Sequence, residues 1–175
     1  MLIRRETSDD LAAVHAVTAA AFAKQGAEPG TEVPVEATLV AELRESGAWL
    51  PPLSLVATDD EGGVVGHVLC TRGHVDEVPV AALGPLSVAP GHQRRGVGLA
   101  LVHSVLGAAD ALGEPLVALL GSPAYYGRFG FRASTDYRIL PPVPAWGPYF
   151  QVRPLAAYTP SVSGAFRYAE PFDRV

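Results

Sequence analysis

Residues 88–102 read VAPGHQRRGVGLALV: the end of an apolar strand, a Pro-Gly turn, two arginines, then an apolar run with helical spacing. A chain of net charge −5 has thus set two cations and two glycines at the mouth of a helix. A helix start carries unpartnered N–H groups and a partial positive charge, so it seats anions readily. Glycines at Gly96 and Gly98 let a ligand approach the backbone, and Arg94 and Arg95 add charge-assisted contacts. Two phosphate loops do not fit. GxxxxGK[ST] is absent, and Leu101 stands where GxGxxG needs its third glycine. The plain alternative is a tight turn entering a core helix with two solvated arginines.

On the N-terminal side of this stretch, VAALGPLSV (80–88) is an apolar strand with Gly84-Pro85 in its middle, and proline cannot donate to a ladder, so a bulge or break is expected there. LSLVAT (53–58), the turn DDEGG and VVGHVLCTR (64–72) form a hairpin. Residues 2–5 make a short first strand. Thr7 and Asp10 have capping-box spacing ahead of a helix whose apolar positions are Leu11, Val14, Val17 and Phe22. Gly26 to Gly30 break that helix. A second helix starts near Pro34, with Val35, Leu39 and Leu43 on one face and Gly47 past its end.

On the C-terminal side, Val97, Leu101, Val105, Ala108 and Leu112 trace a helix closed by Gly113. PLVALLG (115–121) is a continuous apolar run typical of a buried strand, and YYGRFGF (125–131) is aromatic and turn-rich. Residues 141–160 are Pro-rich around the strand YFQVRPL. The order β-α-α-β-β-β-α-β-(α)-β-β predicts an α/β or α+β fold with a mixed sheet, not regular βαβ units.

The 175 residues fit one domain, 49% hydrophobic and 18% charged, a globular composition. The acidic balance leaves no broad basic surface for nucleic acid or anionic lipid. Cys70 is the one cysteine, so an intrachain disulfide and a cysteine-rich zinc site are excluded. No apolar run reaches the length of a membrane span, and MLIRRETSDD carries no signal segment, so a cytoplasmic protein is expected. Arginine is far commoner than the single lysine, Lys24, and with abundant Ala, Gly and Pro this points to a GC-rich bacterial genome.

Gln93-x-x-Gly96-x-Gly98 after a broken strand resembles the Q/R-x-x-G-x-G/A signature of the GNAT superfamily of acyl-CoA-dependent N-acetyltransferases. Tyr126-Gly-Arg-Phe-Gly130-Phe131 resembles the family's late Y-x-x-x-G-F motif, and the ending VSGAFRYAEPFDRV is similar to the tail of a bacterial subgroup. The resemblance implies a splayed central mixed β-sheet flanked by helices, one domain over 1–175, with 141–175 completing it. It implies acetyl-CoA as cosubstrate and no metal. Gln93, Arg94, Arg95, Gly96, Val97, Gly98, Leu99 and Ala100 then hold the CoA pyrophosphate. With the break at Gly84-Pro85, the backbone of Leu86, Ser87 and Val88 faces the pantetheine arm like an added strand. Two departures stand out. Arg94 sits where glycine is frequent, and GSPAY lacks the family's asparagine, so Ser122 is the substitute for its contact to the CoA arm.

The implied reaction is direct attack by a primary amine, of a small molecule or a protein, on the thioester in a ternary complex. Its tetrahedral oxyanion would meet backbone N–H groups near Leu86–Val88. The resemblance makes Tyr126 the group at the thioester sulfur. A phenol of pKa about 10 can donate a proton to a leaving thiolate whose acid has pKa about 8.5. Spacing to Gly130-Phe131 selects Tyr126 over Tyr125; the competing view is an aromatic core cluster. No general base stands out among His67, His74, Asp76, Glu77, Glu32 and Glu36. His92 reads as loop support, His103 as structural and Cys70 as core. Trp49, Trp146 and Tyr149 are either an aromatic acceptor pocket or core and interface residues. Glu28, Glu32 and Glu36 suit a cationic amine acceptor and suit a solvated helix face equally. A homodimer through the C-terminal strands follows from the resemblance and not from the residues. Two other classes compete with the enzyme: a non-catalytic acyl-CoA-binding module on the same fold, and an ATP or dinucleotide binder.

Overall fold

The computed structural model describes residues 1–23 and 33–175. The expected elements are present through the first two thirds of the chain: β1 (Leu2–Arg5), α1 (Leu11–Phe22), α2 (Val35–Glu45), β2 (Trp49–Thr58), β3 (Val64–Val75), β4 (Val78–Val88), α3 (Val97–Ala111), β5 (Leu116–Leu120) and α4 (Pro123–Tyr126). Four strands rather than two then follow: β6 (Arg132–Ala133), β7 (Ile139–Leu140), β8 (Phe150–Pro154) and β9 (Gly164–Arg167). Two-residue strands carry no periodicity, so β6 and β7 have no sequence signal. The expected break at Gly26–Gly30, with Lys24, Glu28 and Glu32, lies outside the described residues.

The strands join one mixed sheet in the order β1-β2-β3-β4-β5-β8-β6, with β9 beside β3 and β7 beside β9. The ladder between β3 and β4 is irregular where Gly84-Pro85 predicts it. Val68 lies opposite Leu86 and Cys70 opposite Leu83, so the two-residue step on β3 spans three on β4. That extra residue is a bulge. On its other edge β4 pairs in parallel with β5 only at Ala81–Val117 and Ala82–Ala118. Beyond those rungs the strands part, while β5 keeps β8 as an antiparallel neighbour along its whole length. The sheet is splayed at the C-terminal end of β4.

Both sheet faces are covered. Leu101, Val105 and Ala109 of α3 pack on Leu55, Ala57, Val68 and Cys70. Val14 of α1 with Leu39, Val40 and Leu43 of α2 packs on Val56 and Leu69 of the opposite face. Gly66 allows α3 its close seat: a Cβ there would lie 2.9 Å from both Leu101 Cδ1 and Val97 Cγ1. The inner face of α1 differs from expectation. Val14, Val17 and Thr18 are buried, whereas Leu11 and Phe22 are 40% and 37% exposed. A helix that is apolar nearly all round leaves its inner face open to choice, and packing on β3 and β4 makes it.

The capping box at Thr7 and Asp10 forms, and Arg4 reinforces it. Thr7 N–H and its hydroxyl donate to the Asp10 carboxylate at 2.8 and 2.9 Å, and the Arg4 guanidinium grips it at 2.7 and 2.8 Å. The Arg4 fork is the largest cause holding the Asp10 carboxyl well below its ordinary range; burial opposes it, and the Thr7 bonds add to it. A carboxyl depressed in the fold stabilises above its unfolded pKa of about 4 and loses that contribution as pH falls. Asp10→Asn should therefore cost about 2 kcal/mol in urea unfolding at pH 7, with the gap to wild type narrowing towards pH 2.

Candidate active site

The opening stretch folds as a strand end, a turn and a helix start. After Val88, Pro90–His92 form a single 3-10 turn, and Gln93 Nε2 donates to Val88 O at 3.1 Å, tying the turn to the strand. Arg94 and Gly96 then take left-handed backbone conformations, φ +59° and +85°. Gly96 is the N-cap of α3, and Ala100 N–H is the one that bonds back to Gly96 O, at 2.9 Å. The N–H groups of Val97, Gly98 and Leu99 thus belong to the open first turn. Arg94 and Arg95 are exposed and form no ion pair among the described residues.

An open pocket of about 310 Å³ sits over this turn, where β4 has left β5. Leu86 and Val88 line one wall, Gln93, Arg94 and Gly98 the base, and Tyr125 with Ala21 and Phe22 the rim. Five of the expected cofactor contacts therefore meet in one place. The others sit differently. The Ser87 hydroxyl is buried on the opposite face and bonds Thr18 Oγ1 at 3.2 Å, so only its backbone borders the splay. Val97 points into the core, while Leu99 is 43% exposed on the outer side of α3. Arg95, Ala100 and the exposed Ser122 lie outside the pocket lining. Ser122 starts α4, and its carbonyl accepts from Tyr125 and Tyr126 N–H at 3.0 and 2.9 Å.

Tyr125, Ala21 and Phe22 join the site without having been singled out by the sequence. Tyr125 places its hydroxyl 2.9 Å from where a Gly98 Cβ would stand, so it walls the α3 side. Tyr126 turns the other way. Its ring lies against Gly121 just past the end of β5, where a Cβ would collide with it, and packs edge-on to Phe131 at 5.8 Å and to Tyr125 at 4.9 Å. Burial pushes the Tyr126 phenol up to about 12, and the neighbouring Tyr125 adds to the rise. The doubled tyrosine is the one available signal for Tyr125: adjacent residues on a one-turn helix face different sides.

None of the described candidates for general base lines this pocket. His67 is fully buried under α1 and α2, its Nε2 bonded to Ser54 Oγ at 2.9 Å and to the Glu6 carboxylate at 3.0 Å. Arg44 completes that cluster on Glu6. Asp76 occupies the β3–β4 hairpin, accepting Ala165 N–H at 2.9 Å, and exposed Glu77 lies 3.8 Å from Arg167. His74 pairs between Pro79 and Arg167, and Glu36 sits in the first turn of α2. His92 belongs to the turn after β4, and His103 is edge-on to Phe129 at 5.1 Å. Cys70 is fully buried, which pushes its thiol up. The three aromatics do not form one pocket: Trp49 lies under the Arg44 guanidinium at 5.1 Å, whereas Trp146 packs on Phe150 and Tyr149 is 56% exposed.

Residues 2–134 match the family model for the acetyltransferase (GNAT) domain. The chain belongs to the GNAT acetyltransferases. The sequence is 34% identical over 177 residues to the N-acetyltransferase YhbS of Escherichia coli (strain K12), covering 99% of each chain. A second relative from that strain, the N-acetyltransferase YjhQ, is 35% identical over 148 residues, covering 78% of this chain and 79% of its own. The crystal structure of E. coli YhbS in complex with CoA superposes with a TM-score of 0.87 at 33% identity, over 99% of this chain and 92% of that one. A GNAT acetyltransferase from Brucella melitensis in complex with acetyl-CoA gives 0.77 at 31% identity, over 98% and 97%. The bulged β4, its parting from β5 and the glycine-led start of α3 are thus features of a GNAT N-acetyltransferase. Among the described residues no helix is long and apolar enough to cross a membrane, and no three metal-binding side chains cluster.

Proposed function

We propose that the protein transfers an acetyl group from acetyl-CoA to a primary amine of a small molecule or a protein, by direct attack in a ternary complex. The observation that carries this reading is the pocket where β4 leaves β5, floored by the first turn of α3. Its open N–H groups and Arg94 and Arg95 suit the CoA pyrophosphate. The edge of β4 at Leu86–Val88, unpaired on the β5 side, offers backbone to the pantetheine arm, and Ser122, at the start of α4, is the proposed polar contact to that arm.

In the reaction the amine nitrogen bonds to the thioester carbon. The oxyanion meets backbone N–H near Leu86–Val88, and the C–S bond breaks with its electron pair on sulfur. The amine proton passes to water. A phenol held near 12 does not give up its proton to a thiolate whose acid lies near 8.5; Tyr126 instead hydrogen-bonds the developing thiolate, which then takes a proton from water. The relatives in E. coli and the arginine-rich composition support a bacterial, cytoplasmic enzyme. That β8 and β9 join the common sheet supports a single domain over 1–175, completed by residues 141–175.

Calorimetric titration with acetyl-CoA, ATP and NADH tests the reading. Acetyl-CoA should bind at least about tenfold tighter than either comparison ligand, and an amine panel should release free thiol. Equal binding of ATP and acetyl-CoA sinks it.

A further inference from the structure

A second, larger cavity of about 490 Å³ lies behind α4, between the outer face of α3, the Arg128–Gly130 turn and β8. Its charged and polar lining is uneven. Arg128, Arg153 and His103 face it, against one carboxylate, Asp110, whose Oδ1 already accepts Ala156 N–H at 2.9 Å. Arg153 is the unusual member. Its guanidinium lies against Gly130, 3.5 Å from a notional Cβ there, and makes no hydrogen bond or ion pair among the described residues. Its Nε is buried without a partner. A partly buried guanidinium without an acceptor is destabilising, and a fixed fork of donors facing a cavity fits an oxyanion.

The cavity adjoins the pyrophosphate seat. Arg128 places its guanidinium 5.0 Å over the Tyr125 ring, and the Tyr125 hydroxyl is the group that meets Gly98. One side chain thus separates the two cationic places. His103 lies five residues beyond Gly98 on α3, about 7.5 Å along the helix axis. We propose that this cavity is a second phosphate site, taking a phosphate monoester dianion between Arg153 and Arg128. That chemistry has two sources: the 3′-phosphate on the nucleotide of coenzyme A, or a separate phosphorylated small molecule. The first source rests on the acetyl-CoA reading above; the site itself does not.

The test is calorimetric titration of wild type, Arg153→Met and Arg128→Met with CoA, 3′-dephospho-CoA and inorganic phosphate. Arg128 is exposed, so its variant folds even if the Arg153 variant does not, and Arg153→Lys should keep part of the effect. Wild type should prefer CoA to dephospho-CoA by about tenfold, and each Met variant should remove that preference while binding dephospho-CoA as wild type does. If the source is a separate molecule, the variants lose inorganic phosphate binding and CoA affinity stays unchanged. Variants that alter neither the CoA preference nor phosphate binding overturn the site. Wild type that binds phosphate through Arg153 but neither CoA form removes the acetyl-CoA reading and leaves the site standing.

Discussion

Tyr126→Phe lowers kcat about 100-fold and leaves the affinity for acetyl-CoA within about twofold. The ring, not the hydroxyl, makes the packing contacts with Gly121, Phe129 and Phe131, so phenylalanine keeps the local structure. On the proposed mechanism, what it removes is one donor to charge that develops only as the C–S bond breaks. Loss of such a donor appears in kcat and not in ground-state binding. Because the phenol is held near 12, it stays protonated across the working range, and no limb of the pH–rate profile below about pH 10 belongs to it. Tyr125→Phe is the counterpart: Tyr125 lines the pocket proposed for the pyrophosphate, so a few-fold weaker acetyl-CoA binding at unchanged kcat is expected. Steady-state kinetics on both variants decides between the neighbours. A full kcat for Tyr126→Phe with a collapse for Tyr125→Phe moves the role by one residue.

Most of the fold is legible in the sequence because its signals are local. The helix from Val97 follows its apolar period and the turn that starts it, and the bulge in β4 follows from a proline that cannot join a ladder. The proposed cofactor seat is legible for the same reason: Gln93 and Gly98, which line its pocket, are close in sequence. What the sequence does not show depends on how elements meet. Phe22 reads as an apolar helix position whether it faces the core or the pocket, and only the packing of α1 on β3 and β4 decides. His67 looks like a candidate base until Glu6, sixty-one residues away, is found holding it inside the protein. Ser87 alternates with Leu86 and Val88, so its hydroxyl faces the opposite side of the sheet, an orientation already implicit in the two-residue period of a strand. Arg153 carries no sequence signal at all.

Gly98→Val should weaken acetyl-CoA binding more than about 100-fold while the protein stays folded. A Cβ at Gly98 stands 2.9 Å from Tyr125 Oη, 3.6 Å from Val88 Cγ2 and 3.9 Å from Leu86 Cδ2, so the added branches fill the space between the β4 edge and α4. The tight contact is with the end of a side chain on the short α4, which can move aside, and the helix start is otherwise unstrained. The loss therefore falls on the ligand. Gly98→Ala, with one methyl, should lose about tenfold. Gly96→Ala separates shape from backbone: nothing lies within 4 Å of its notional Cβ, but φ is +85°. That substitution costs about 1–2 kcal/mol of stability through left-handed strain, with binding affected less than at Gly98. Calorimetry and urea unfolding on the three variants should show opposite orders: Gly98→Val worst for acetyl-CoA, Gly96→Ala worst for stability. If Gly98→Val binds acetyl-CoA as wild type does, the cofactor does not lie on the first turn of α3.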